Sequence, residues 1–158
     1  MPLNNFGLVD KRANGASLWR AAQPDSSGFK LLVDLGIDGV FKLNNNAEFP
    51  DARETQYVEP AFVSLVPMDP FTPDEKFVRG VVKEIDAALT DGTSVFVHCT
   101  HGRDRTGLVI GAYRALINHW TFGAIQKERM VYGANWLVDV PDHEIVEMLK
   151  LFAKEGIA

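Results

Sequence analysis

Residues 95–107 read Val95-Phe96-Val97-His98-Cys99-Thr100-His101-Gly102-Arg103-Asp104-Arg105-Thr106-Gly107, and Cys99 is the single cysteine of the chain. An apolar strand runs into a His-Cys pair. Five residues separate the cysteine from Arg105, and Thr106-Gly107 opens the apolar run Leu108-Val109-Ile110-Gly111-Ala112-Tyr113. Strand, cysteine loop, arginine and helix in that order are what holding a phosphate against a thiolate requires. The loop N–H groups and the N-terminus of the following helix converge on one spot and favour an anion there. The same field favours a deprotonated Cys99. Arg105 supplies a planar, permanently charged fork that matches two phosphate oxygens.

Outward from this loop, the pattern predicts strands over Ser17–Ala21, Gly39–Leu43 and Ala61–Val66, with Val95–His98 as the central one. Asp25-Ser26-Ser27 reads as the start of a helix carrying Phe29, Leu31, Leu32 and Leu35 and ended by Gly36. Residues 44–60 are polar and irregular. Thr72-Pro73-Asp74-Glu75 reads as a helix start, with Thr72 as N-cap, Pro73 in first position and Glu75 closing a capping box. That helix is expected to bury Phe77, Val81, Val82, Ile85, Ala88 and Leu89 and to stop at Asp91-Gly92. Helices over Arg105–His119, Thr121–Tyr132 and Pro141–Lys154 complete the chain. Strands first separated by helices and later followed by them imply an α/β sandwich with a short, mainly parallel central sheet flanked by helices. The cysteine loop then lies at the carboxyl end of a strand, where such sheets bind ligands. Without repeats or linkers, residues 1–158 read as one domain.

Composition narrows the function. The 46% hydrophobic and 23% charged residues are those of an ordinary globule. A formal net charge of −5 gives no general affinity for nucleic acid or acidic membranes. A lone cysteine forms no internal disulfide and no cysteine-based metal site. His119 and His143 lack metal-ligand spacing to an acidic partner, so neither metal nor cofactor is expected. The first residues lack the basic and apolar regions of a signal peptide. No apolar run approaches about 18 residues. A cytoplasmic location and the absence of a membrane span are the resulting expectations.

The stretch from His98 to Gly107 resembles the signature loop of the cysteine-dependent protein tyrosine phosphatase superfamily, Cys-x5-Arg with a preceding His and a following Thr-Gly. The size is similar to the compact bacterial and atypical dual-specificity branch. Leu18-Trp19-Arg20-Ala21-Ala22-Gln23-Pro24 resembles the Tyr-Arg-Ser-x-x-Pro stretch of those proteins, and Gly39-Val40-Phe41-Lys42-Leu43-Asn44 their Ile-x-x-Leu strand. The likeness spans roughly residues 17–135, with specificity concentrated in the loop.

The resemblance implies Cys99 as nucleophile through a phosphocysteine intermediate, where the plain alternative is a buried structural cysteine. It implies Arg105 as the clamp on the phosphoryl oxygens. Thr100, His101, Gly102, Arg103 and Asp104 complete the phosphate-binding loop, with Gly102 allowing a conformation closed to residues with a Cβ. His98 orients the loop or is simply a satisfied core histidine. Thr106 donates to the cysteine sulfur or serves only the helix start. The leaving oxygen needs an acid, and no Trp-Pro-Asp motif is present. Asp69, 30 residues before Cys99 on a loop after a strand, matches the placement of the acid in dual-specificity phosphatases. Asp74 is a rival already explained by its place at a helix start. Asp104 is a second rival, because Asp-Arg-Thr resembles the loop of myotubularin-like and Sac-like lipid phosphatases. Tyr113, Trp120, Tyr132 and Trp136 read as packing residues.

The expected substrate is a phosphorylated protein or a small phosphorylated molecule. His101, Arg103 and Arg105 also keep inositol phosphates or phosphoinositides open. An inactive phosphate-binding module is the alternative of another class.

Overall fold

The computed structural model describes residues 3–44, 62–69, 71–134 and 142–157. Its elements are β1 (Gly7–Lys11), β2 (Ser17–Ala21), α1 (Ser26–Asp34), β3 (Gly39–Lys42), β4 (Phe62–Leu65), α2 (Glu75–Thr90), β5 (Val95–His98), α3 (Asp104–Leu116), α4 (Phe122–Val131) and α5 (Asp142–Gly156). The five strands are ordered β1-β2-β5-β3-β4. β2, β5, β3 and β4 run parallel, and β1 adds an antiparallel edge with a bulge between Leu8 and Asp10.

The sheet is covered on both faces, and the two-residue alternation of β5 divides its side chains between them. Val95 and Val97 point into a large core with α2, α3, α4 and α5, and Cys99 continues that face. Phe96 points the other way into a smaller core with Phe29 and Leu32 of α1. His98 follows Phe96 on that side, its ring stacked on Phe96 at 5.1 Å. The His-Cys pair therefore faces two different layers. α3 carries buried residues all around its girth, from Thr106 to Ala115. Such a helix belongs in the middle of a domain, and its first turn is thereby fixed beneath the end of β5.

Several expectations are corrected. β1 was not expected; Gly7–Lys11 lacks an apolar run, and the antiparallel partner β2 supplies the order. The cap of α2 is Asp74, whose carboxylate accepts from the Phe77 N–H at 2.8 Å, rather than Thr72. Thr72 instead donates its hydroxyl to Asp69. With the helix starting two residues later, Val78 is buried while Phe77 is 37% exposed. Leu31 and Leu35 are likewise exposed, and Phe29 and Leu32 carry the packing of α1. α3 starts at Asp104 and stops at Leu116, ahead of His119, which is left-handed at φ 58°. Trp136, Ala61, Pro141 and most of the 44–60 segment lie outside the described residues. None of the described helices is long and apolar enough to cross a membrane.

α4 and the start of α5 are joined by a buried ion pair between Arg129 and Asp142, 2% and 1% exposed. Arg129 also donates to Gln126 at 2.7 Å. Removing one partner of such a pair strands a charge in the core, whereas removing both does not. Arg129→Met is expected to destabilise the fold by about 3–5 kcal/mol in denaturant titration. Adding Asp142→Leu should recover most of that loss, and a double variant no more stable than the single one would contradict the pair's role.

Candidate active site

Three successive loop carbonyls are held from outside the loop. Thr100 O accepts from Gln23 N at 3.1 Å, His101 O from Asn5 Nδ2 at 3.0 Å and Gly102 O from Arg20 Nη2 at 3.0 Å. In a trans peptide the carbonyl and the next N–H point in opposite directions. Drawing these carbonyls outward therefore turns the N–H groups of His101, Gly102 and Arg103 toward the loop's interior. That is the construction of an anion nest. α3 begins directly after it, with Arg103 in helical conformation as N-cap and no side chain capping the first turn. The helix N-terminus is thus left to face whatever the loop holds.

Gly102 meets two demands at once. Its φ is +70°, and a Cβ there would lie 2.6–2.7 Å from the Ala21–Ala22 peptide. Backbone cannot yield as a side-chain tip can, so the loop is pressed onto the end of β2 at a point where only glycine fits.

The predicted residues fall into distinct settings. Cys99 is 2% exposed on the face of the sheet covered by α3. Arg105 Nη2 donates to Thr100 Oγ1 at 3.1 Å, which folds the guanidinium back across the loop. Thr106 is fully buried, and its hydroxyl has no hydrogen-bond partner, the Cys99 sulfur included. His98 is fully buried, with Nδ1 facing the Cys99 carbonyl oxygen at 3.3 Å. That contact joins the histidine to the loop backbone. His101 is exposed. Arg103 and Asp104 form an ion pair, with Nη2 to Oδ2 at 3.1 Å and Nε to Oδ1 at 3.2 Å.

The acids separate. Asp74 is engaged as the α2 cap. Asp104 is engaged by Arg103. Asp69 is exposed and accepts from Phe71 N at 2.9 Å and Thr72 Oγ1 at 3.1 Å, within its own turn. Backbone bonds place that turn: Met68 N donates to Leu43 O at 3.1 Å, and Leu43 N donates to His98 O at 2.9 Å. Asp69 thus stands at the same end of the sheet as Cys99, about 10 Å away across two strand spacings. It also lines a pocket of about 620 Å³ with Met68, Asp74 and Phe77, which includes no residue of the cysteine loop. Among the described residues no group of His, Cys, Asp and Glu is arranged to hold a metal ion.

Sequence reading gave no site role to three contributors: Asn5, Arg20 and Tyr132. Asn5 Nδ2 bridges His101 O and Tyr132 O, each at 3.0 Å, from a left-handed conformation. The guanidinium carbon of Arg20 sits over the Tyr132 ring, 3.7 Å from its centroid. Arg20 was visible only as part of a family-like stretch. Asn5 and Tyr132 come from opposite ends of the domain and carry no local signal.

Gly102→Ala is expected to cost about 1–3 kcal/mol of stability and to spoil anion binding in the loop. Thermal unfolding with and without inorganic phosphate measures both, and an unchanged variant would contradict this account of the loop.

Comparison with known proteins identifies relatives of this chain. A family profile described as a polymorphic toxin system DSP-PTPase phosphatase matches residues 14–119. The dual specificity protein phosphatase TpbA of Pseudomonas aeruginosa is 30% identical over 112 residues, covering 71% of this chain. The chain spans about half of that relative's length, 49%. The crystal structure of a cysteine-to-serine TpbA in complex with pTyr superposes with a TM-score of 0.68 at 23% identity, covering 88% of this chain and 86% of that one. The catalytic core of the PP-IP phosphatase SIW14 from S. cerevisiae, in complex with citrate, gives a TM-score of 0.69 at 22% identity, covering 99% and 94%. At these identities the two structures establish a shared fold. With the family match over two thirds of its length, the chain belongs to the DSP-PTPase phosphatases, the compact dual-specificity-like branch of the cysteine phosphatases.

Proposed function

We propose that this chain hydrolyses phosphate monoesters, without a metal, through a phosphocysteine intermediate. The observation that carries the reading is the outward pinning of the carbonyls of Thr100, His101 and Gly102, which leaves N–H groups and the start of α3 around the Cys99 position. The Cys99 thiolate attacks phosphorus as the bond to the leaving oxygen breaks, and that oxygen takes a proton from Asp69. Arg105 leaves Thr100 to span two phosphoryl oxygens as charge spreads over them. Water, deprotonated by the Asp69 carboxylate, then attacks the phosphocysteine. Phosphate departs, and the thiolate and the protonated acid are regenerated. The buried Thr106 hydroxyl, unpartnered in the free loop, is available to the leaving sulfur in this second step.

The electrostatics favour a substrate offering a single phosphoryl group, such as a phosphorylated protein side chain. Asp104 neutralises Arg103, so Arg105 is the principal loop cation left for the substrate. The chain as a whole is acidic. The pTyr complex of TpbA supports the same class. The PP-IP phosphatase among the structural relatives keeps inositol phosphates as the second reading.

Cys99→Ser is expected to lower phosphate release from phosphotyrosine and phosphoserine peptides by about 1,000-fold or more in metal-free buffer. Undiminished turnover would contradict the cysteine mechanism. Complete inactivity of the unmodified protein, with phosphate compounds still binding, would favour a binding module. Asp69→Asn should slow a phosphoserine peptide by about 100-fold or more and barely affect an ester with an acidic phenol as leaving group. If Asp104→Asn shows that dependence instead, the acid is Asp104. Asp104→Asn should also remove the negative charge opposing Arg103 and sharpen competition by inositol hexakisphosphate several-fold; equal competition in both forms would count against the neutralised pair as the source of selectivity.

A further inference from the structure

We propose that Arg20 is a positioning residue for the phosphatase reaction: a buried guanidinium beneath the cysteine loop whose charge is completed only by the anion that the loop carries. The inference rests on the phosphocysteine reading above and adds a residue from outside the signature loop.

Arg20 lies on β2, in register with Val97 of the parallel neighbour β5. Leu18 belongs to the same core as Val97 and Cys99, so the alternation of β2 puts Arg20 on the face that carries the cysteine. The side chain is 1% exposed. One guanidinium nitrogen, Nη2, donates to Gly102 O. The other two, Nε and Nη1, have no hydrogen-bond partner among the described residues. Among the described residues, the carboxylate that approaches the guanidinium is Glu128, 4.0 Å from Nη1. Its charge is already committed to Arg114, which donates to it through Nη2 at 2.7 Å and Nε at 3.2 Å. The Tyr132 face supplies only a partial negative potential.

A guanidinium taken out of water without a full counter-charge is expensive, and a core of this kind would pack equally well around an uncharged chain. Burial draws the Arg20 pKa down to about 10, with Tyr132, Glu128 and Cys99 acting in the opposite direction. At neutral pH the cation therefore persists. The charge that completes it is the anion carried by the cysteine loop, which is the phosphoryl group during turnover. By reciprocity, an anion that stabilises Arg20 is itself stabilised by Arg20. The same side chain holds Gly102 O outward, so geometry and field act on one loop from one residue.

The test follows the thiol directly and needs no turnover, so it stands apart from the activity assays. Iodoacetamide alkylation of the single cysteine is measured by intact mass across pH for the unmodified protein, Arg20→Lys, Arg20→Gln and Arg20→Met. Circular dichroism verifies folding of each. Arg20→Met and Arg20→Gln should move the alkylation midpoint upward by about one pH unit or more, while Arg20→Lys, which keeps the charge, stays near the unmodified value. Gln offers a polar replacement should Met prevent folding. A midpoint unmoved in the folded neutral variants would overturn the proposal. So would a shift in Arg20→Lys as large as theirs, since shape rather than charge would then be the requirement.

Discussion

Thr100, His101 and Gly102 surrender their carbonyls to groups outside the loop, and the remaining features of the site depend on that constraint. One donor is the main chain after β2, one is Asn5 near the start of the chain, and one is the buried Arg20. A free loop would scatter its peptide dipoles and cancel their field. Here their order is fixed before any ligand arrives, so little reorganisation is left for the moment of reaction. The rigid parts of the fold bear the load: β5 ends at His98, α3 begins at Asp104, and both are buried in the central layer.

Charge around the loop is as deliberately placed as its backbone. Asp104 quenches Arg103, Glu128 is occupied by Arg114, and Arg105 rests on a neutral hydroxyl. Arg20 lies below with its charge only partly answered. The field at Cys99 therefore comes from inside the protein and from loop dipoles more than from a basic surface. That explains how an acidic chain can favour an anion at one point while remaining unattractive to polyanions at large.

Much of this was legible in residues 95–107, because strand, loop and helix there are adjacent in sequence and each has a strong local signature. The parallel sheet and the place of the loop at its carboxyl end followed from element order alone. What escaped was set by long-range partners. β1 has little apolar pattern and exists through pairing with β2. The α2 cap went to Asp74 because two good capping residues stood close together, and Thr72 was drawn into the Asp69 turn. The loop's outer supports, Asn5 and Tyr132, are more than 120 residues apart, with |i−j| of 127. No local pattern announces such a meeting. The burial of Arg20 was equally hidden, since an arginine in a strand ordinarily reads as exposed.

The fold places Cys99, Arg105 and the loop amides together and leaves Asp69 on a separate turn at the same end of the sheet. The central claim is that this arrangement passes the phosphoryl group through the sulfur of Cys99. Rapid acid quench during turnover of a phosphotyrosine peptide, followed by mass spectrometry of the proteolytic fragment bearing Cys99, tests it most directly. A phosphate-mass adduct on that fragment, present during turnover and gone once substrate is exhausted, is the predicted result. Sustained turnover with no adduct on Cys99 at any quench time would contradict the account.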